Sequence, residues 1–453
     1  GIARLDRMRR GRGAPGASIT LPLALFLAAA GAAAAPSEPD ADMVAFMRFA
    51  IAQTCEKPIP EGAEAGPELV RRFAAEKLLE ARTFEFQGRP GRAQYGLLLN
   101  SGDEVKIQRL FPLGLLRRVT VEIHREFAKG RLRPAMSAAV GADCRVLRAA
   151  RIDYDEKGDA ETLVILGRDL RQVLSREPLN PTFPAVRSPG REGDGIRVAL
   201  VDTGVNYLLD LVADRLARGP EGQALGFDYW DMDARPYDVD TARSAFFPLH
   251  HGTAVASILL REAPQARLIP YRYPRPEMSR MAALVADVDK QGAVIVNMAM
   301  GSNKRSDWLI LAEAAAARPH MLFVISAGND GRDIDKDPVY PAALDLDNFL
   351  IVTSANDFGR LAEGSNWGRI HVDIMVPGDR VAVIDHRGAK GKASGSSFAV
   401  PRIAALAARL LARNPGWRAA ELKRAIVGRA RPSRFYETLP VRYGWIPDPA
   451  DDF

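Results

Sequence analysis

Cysteine is scarce, with Cys55 and Cys144 the only two in 453 residues. Two thiols are too few for a metal cage, and both lie far from any segment that reads as reactive. In an exported chain they pair as a disulfide tying the first helix to a later strand; in a reducing compartment they stay as buried thiols. Histidine is also rare, at six residues. Excess charge is nearly absent from the body of the chain. The formal net charge is +6, but five arginines (4, 7, 9, 10 and 12) against Asp6 place most of it before residue 35. That leaves no electrostatic case for nucleic acid. A long apolar run is missing too: Ile19 to Ala30 is short for a membrane span and contains Pro22.

What is present is the composition of an ordinary globular protein, 47% hydrophobic and 26% charged, with length enough for two or three domains. Residues 1–35 carry the parts of a secretory signal peptide, with the true start at Met8. A basic stretch (Met8-Arg9-Arg10-Gly11-Arg12) is followed by the short apolar run and then by small residues near Ala33 to Ala35. Cleavage there releases the chain to the periplasm or the extracellular space, as a monomer; left uncleaved, the segment is an anchor and the membrane becomes a partner.

Residues 36–177 read as a separate α+β region. Met43, Val44, Phe46, Met47 and Ile51 form one helical stripe. Leu69, Val70, Phe73, Leu78 and Ala81 form another, starting at Pro67. Val119, Val121 and Ile123 alternate as a strand, and Val146 to Ile152 with Thr162 to Leu166 flank Asp155 to Asp159 as a hairpin. Prolines and glycines make 178–195 a linker. Residues 196–447 then alternate strand and helix, the pattern of a parallel sheet covered on both faces, and 448–453 form a tail.

Three stretches of that second region carry chemistry. Gly395-Ser396-Ser397 precedes an apolar helical face at 403, 406, 410 and 411, so Ser397 sits at a helix start. Unpaired NH groups there can hold an oxyanion, although a serine in that place can equally be a cap. Ile196 to Val201 is a buried strand delivering Asp202 at its carboxyl end. His251 precedes Gly252, Thr253 and an apolar helix, and it is the side-chain type able to cycle a proton near neutral pH. Asp, His, Ser, each at an element boundary, is one of the known orders of a serine triad.

With Asp202-Thr203-Gly204, His251-Gly252-Thr253 and Gly395 to Pro401, the sequence resembles the subtilisin-like serine peptidases, the subtilase family. Segments at Val296 to Gly301, Ser326 to Gly331, Tyr340 to Ala342, Ser365 to Gly368 and Asp373 to Gly378 fall in the family's order, so the likeness spans about residues 190 to 447. Ser396 and Phe398 stand where Thr and Met are usual, and Ala254 where a second histidine is frequent.

The resemblance implies a subtilisin-like α/β fold and a serine endopeptidase acting on proteins or peptides through an acyl-enzyme. Ser397 would be the nucleophile, His251 the base with His250 a mere neighbour, and Asp202 its orienting carboxylate; Asn329 and the Ser397 NH would hold the oxyanion. Ala299, Met300 and Gly301 would bind an extended substrate strand, and Ser326, Ala327 and Gly328 would floor a pocket for an apolar side chain. It requires no cofactor. Calcium, frequent in the family, has candidate ligands in Asp231, Asp233, Asp238 and Asp240, against the plainer reading of a solvated turn. By position, residues 36–177 are either a prodomain or an accessory domain. Two rival functions remain: a silent subtilase-like scaffold, and an esterase using the same triad.

Overall fold

The computed structural model of the chain describes residues 41–183 and 195–451. The expected signal peptide and most of the expected linker lie outside the described residues.

Helices α1 (Ala41–Ile51) and α2 (Ala65–Phe73) precede eight strands. These are β1 (Lys77–Phe86), β2 (Arg89–Leu98), β3 (Glu104–Leu110), β4 (Arg118–Ala128), β5 (Arg131–Gly141), β6 (Val146–Tyr154), β7 (Ala160–Leu166) and β8 (Val173–Pro178). They form one antiparallel meander in chain order. Strand period sends Val119, Val121 and Ile123 of β4 to one face, where they pack with Val105 and Ile107 beneath Val44, Met47, Leu69 and Phe73 of the helices. The hairpin expected around Asp155 to Asp159 is the β6–β7 pair.

The second helical stripe stops short of its expected end. After Phe73 the chain turns through Ala74, left-handed at φ 47°, and Leu78 and Ala81 lie on β1. Nine residue pairs with β2 outweigh a helical spacing that those two positions satisfy by coincidence. Cys55, in the turn after α1, and Cys144, between β5 and β6, are joined by a disulfide spanning 89 residues of chain.

The second region runs β9 (Ile196–Asp202), α3 (Asp210–Ala213), β10 (Phe227–Asp228), α4 (Gly252–Glu262), β11 (Ala266–Arg272), α5 (Met281–Lys290), β12 (Ile295–Met298) and α6 (Leu309–Ala316). It continues with β13 (Leu322–Ser326), β14 (Phe349–Ala355), β15 (Ile374–Pro377), the hairpin β16 (Val381–Ile384) and β17 (Lys390–Ala393), α7 (Ser396–Arg413), α8 (Ala419–Val427) and β18 (Gly444–Trp445). Eight strands pair in parallel in the order β10-β11-β9-β12-β13-β14-β15-β18.

Within β9, Val198 and Leu200 face a core shared with α4, α7 and α8, while Ala199 and Val201 face one shared with α5 and α6. Both faces are therefore buried from Val198 to Val201, which is why that run is continuously apolar. β9 lies between β11 and β12, where the order of connections reverses. A crevice beyond the carboxyl ends of the strands opens at such a switch point.

The two regions meet along one seam. Ile152 and Leu163 of the meander pack with Leu179, Val239 and Phe246. Polar contacts flank it: Asn180 Nδ2 donates to Asp233 Oδ2 at 3.0 Å, and the Arg387 guanidinium pairs with Glu177 Oε1 at 2.5 Å.

Candidate active site

Asp202 ends β9, His251 caps the start of α4, and Ser397 is the second residue of α7. Close backbone packing brings the first two together. A Cβ on Gly252 would sit 1.8 Å from the Gly204 carbonyl oxygen, so only glycine lets α4 begin against the loop that follows Asp202. Asp202 is 1% exposed, and its Oδ1 accepts His251 Nδ1–H at 2.8 Å and the Thr203 amide at 2.7 Å.

Burial opposes a charge on the His251 ring, but the Asp202 carboxylate, through its field and its hydrogen bond, overrides it with help from Asp238 and Asp240. The imidazole pKa is raised above its ordinary 6.5.

Asp238 was expected in a solvated turn or a calcium cage, and is in neither. It is fully buried; Oδ1 accepts the Thr203 hydroxyl at 2.6 Å and the His251 amide at 3.1 Å, while Oδ2 accepts the Thr253 amide at 2.9 Å and hydroxyl at 2.5 Å. The other three carboxylates are engaged elsewhere: Asp231 with Arg272, Asp233 with Asn180 and Arg235, Asp240 with the Ala242 amide. A cage of free oxygens does not form from these groups. Nothing in the sequence marked Asp238 out, since its partners lie up to 35 residues away. His250, the neighbour of His251, donates Nδ1–H to the Asp238 carbonyl at 2.6 Å and stacks on His386. Burial, then the His250 neighbour, pushes the His386 pKa down.

The α7 start behaves differently from a capped helix. Gly395 occupies the cap position with no side-chain cap, so the reading of Ser397 as a mere cap falls. The Ser397 hydroxyl donates to the Ala299 carbonyl at 3.3 Å, and not to His251. The imidazole nonetheless borders this turn, with its ring 5.6 Å from that of Phe398. The Ser397 amide lies in the first turn of an 18-residue helix, at the positive end of its dipole.

Asn329 follows β13 and reaches the same turn. Its Oδ1 accepts the Ser396 amide at 2.8 Å and the Ser396 hydroxyl at 3.0 Å, which assigns Nδ2 to the opposite side, as a donor with no hydrogen-bond partner among the described residues. The Ser396 hydroxyl in turn meets Ser326 Oγ at 2.6 Å. The loop is held from below by Asn366, which bonds the Ala327 carbonyl and the Asp330 amide.

A cavity of about 690 Å³ contains Ser397, Asn329, Ala299, Met300, Gly301, Ser326 and Gly328, with Trp308 and Val339 behind them and Arg275, Lys304, Asp307 and Asp330 among its lining. Ala299 to Gly301 run on past the carboxyl end of β12, a strand flanked on both sides, and line the cavity. One expectation changes here. Ala327 is fully buried in the core behind the cavity and lends it no surface.

Residues 193–445, more than half of the chain, match the model of the subtilase family, peptidase S8. The chain belongs to the subtilase family. This subtilase is 27% identical over 230 residues to the thermophilic serine proteinase of Bacillus sp. (strain AK1), covering 48% of this chain and 52% of that protein. It is 25% identical over 257 residues to subtilisin amylosacchariticus of Bacillus subtilis subsp. amylosacchariticus, covering 53% and 61%. The subtilase thus spans about half to three-fifths of the length of these relatives. A solved cold-adapted subtilisin-like serine proteinase matches with a TM-score of 0.46 at 21% identity, covering 58% of this chain and 93% of that one.

Proposed function

We propose that this subtilase is a serine endopeptidase, cleaving extended peptide segments through an acyl-enzyme on Ser397. The observation that carries the reading is the Asp202–His251 bond at 2.8 Å, beside a cavity that Ser397 and Asn329 line together. In this account a χ1 rotation of Ser397 turns its hydroxyl from the Ala299 carbonyl to His251 Nε2 once substrate fills the cavity. His251 takes the proton as Oγ bonds to the scissile carbonyl carbon, and Asp202 steadies the imidazolium. The oxyanion is held by Asn329 Nδ2–H and the Ser397 amide. His251 then returns the proton to the leaving amine, and water repeats the sequence to release the acid. The account predicts apolar or broad side-chain preference, with the charged groups of the cavity lining selecting at more distant substrate positions.

The test compares an unfolded protein with a matched ester as substrates of the full chain and of its Ser397→Ala form. Peptide turnover confined to the unsubstituted chain supports the reading, ester turnover alone makes it an esterase, and cleavage only after basic residues refutes the apolar preference. One observation favours the silent-scaffold reading: the resting Ser397 hydroxyl is bonded to a carbonyl. Absence of turnover on either substrate would decide for it.

We also propose that the chain is exported. Support comes from the basic and then apolar opening of the sequence and from the Cys55–Cys144 disulfide, a bond of oxidising compartments. Among the described residues, no helix is long and apolar enough to cross a membrane. The N-terminal mass of the protein recovered outside the cytoplasm tests export. It also tells whether residues 36–177 are removed as a prodomain or retained as an accessory domain.

A further inference from the structure

Three side chains from distant parts of the chain meet at the seam between the meander and the parallel-sheet region. Glu177 comes from β8, His250 from the residue before His251, and His386 from the tip of the β16–β17 hairpin. One donor atom of each lies within 4.8 Å of the others, and all three residues are half-buried. The donors are prepared in different ways. His250 Nδ1 is bonded to the Asp238 carbonyl, which fixes the tautomer and leaves the Nε2 lone pair free. His386 Nε2 is buried and has no protein hydrogen-bond partner among the described residues, an arrangement that costs energy unless something fills it. The His386 backbone carbonyl is held by Asn206 Nδ2 at 2.5 Å, and Arg387 takes one Glu177 oxygen and leaves the other.

We propose that Glu177, His250 and His386 form a binding site for a divalent transition-metal ion of the zinc class, clamping the N-terminal region onto the catalytic region. Two imidazoles and one carboxylate suit zinc, cobalt or nickel, whereas calcium and magnesium take oxygen sets. Water completes the fourth position. Tetrahedral zinc with bonds near 2.1 Å separates its ligands by about 3.4 Å, so the side chains draw together by up to roughly 1.5 Å. The two imidazoles, now stacked with centroids 3.5 Å apart, fan open to aim their lone pairs at one point. The bond from His250 to the Asp238 carbonyl supplies the outer support that metal-ligating histidines commonly have. Because the Asp238 carboxylate also holds the His251 amide, the ion ties the docking of β8 to the loop that carries the proposed base.

The experiment uses the full chain with Ser397→Ala, which prevents self-digestion and frees the readout from activity. Cobalt(II) is titrated while its visible absorption is followed, and zinc is then added as competitor. The proposal predicts one equivalent of tightly bound cobalt with the intense bands of four-coordination, displaced by zinc. Zinc raises the melting temperature by roughly 5 °C. His386→Gln or Glu177→Gln added to this chain weakens binding by at least about tenfold. X-ray absorption of the zinc-loaded protein, which needs no further substitution at the site, should show two imidazoles on the ion. No saturable binding, binding indifferent to both substitutions, or a sphere with fewer than two imidazoles would overturn it.

Discussion

Asp238 holds the backbone of His251 and leaves the ring to Asp202: its Oδ1 accepts the His251 amide at 3.1 Å, while His251 Nδ1–H goes to Asp202 at 2.8 Å. The base is thus placed by one carboxylate and oriented by another. Asp238→Asn would set an NH₂ group against donors that now share two carboxylate oxygens. Losing bonds to a buried charge costs about 1.5–3 kcal/mol each, so urea unfolding should show about 3 kcal/mol of lost stability. The kcat/KM should fall by at least about tenfold, since the imidazole moves with its backbone. Unchanged values for both would mean that Asp238 is a bystander.

Gly252→Ala tests the close approach behind the Asp202–His251 pair. With a Cβ only 1.8 Å from the Gly204 oxygen, α4 must shift, and overpacking of this kind costs about 1–3 kcal/mol or more. The expected outcome is a lower melting temperature together with a kcat deficit larger than that of an alanine placed elsewhere in α4. Wild-type turnover would show that the two loops can separate without consequence.

The raised pKa of His251 has a definite sign in the pH profile. A general base works only when neutral, so kcat/KM should fall as pH drops through a value above 6.5. The same shift makes the fold favour protonated His251; that stabilisation is complete below about 6.5 and is lost as pH rises through the folded pKa. Titration of the imidazole by NMR in Ser397→Ala should show both the raised value and its fall in Asp202→Asn. In the unsubstituted background, Asp202→Asn should lower kcat by about four orders of magnitude. An imidazole titrating below 6.5 would contradict the account.

Ser396 orients Asn329 and touches no substrate in this account. Ser396→Ala removes one of two contacts on Asn329 Oδ1 and should reduce kcat by about tenfold with KM little changed. Asn329→Ala, which removes the donor itself, should cost about 100-fold to 1000-fold. Equal losses for both variants, or a loss confined to KM, would show that the hydroxyl does something other than steady the amide.

Much of this arrangement was legible in the sequence because the decisive residues sit where elements change. Asp202 closes an apolar run, His251 and Ser397 open apolar helices, and glycines at 204, 252 and 395 mark backbone approaches. The role of Asp238 was not legible: along the chain it is one of four loop aspartates with nothing to set it apart from Asp231, Asp233 and Asp240, and its four donors are assembled only by folding. Leu78 and Ala81 misled for the opposite reason, since their spacing fits a helix while cross-strand pairing puts them on β1. The positions of Ala299 to Gly301 beyond a central strand, and of Ala327 behind the cavity, depend on strand order, which spacing along one chain does not carry. The Ser397 rotamer toward the Ala299 carbonyl is a matter of a single torsion, with no trace in the sequence.

The central claim is that Ser397 becomes a nucleophile through His251. Intact-mass spectrometry after exposure of the full chain to a fluorophosphonate reads this directly. The account predicts a single adduct, mapped to Ser397, that is absent from Ser397→Ala and slowed by orders of magnitude in His251→Ala. An unlabelled chain, or labelling that proceeds equally well without His251, would contradict it.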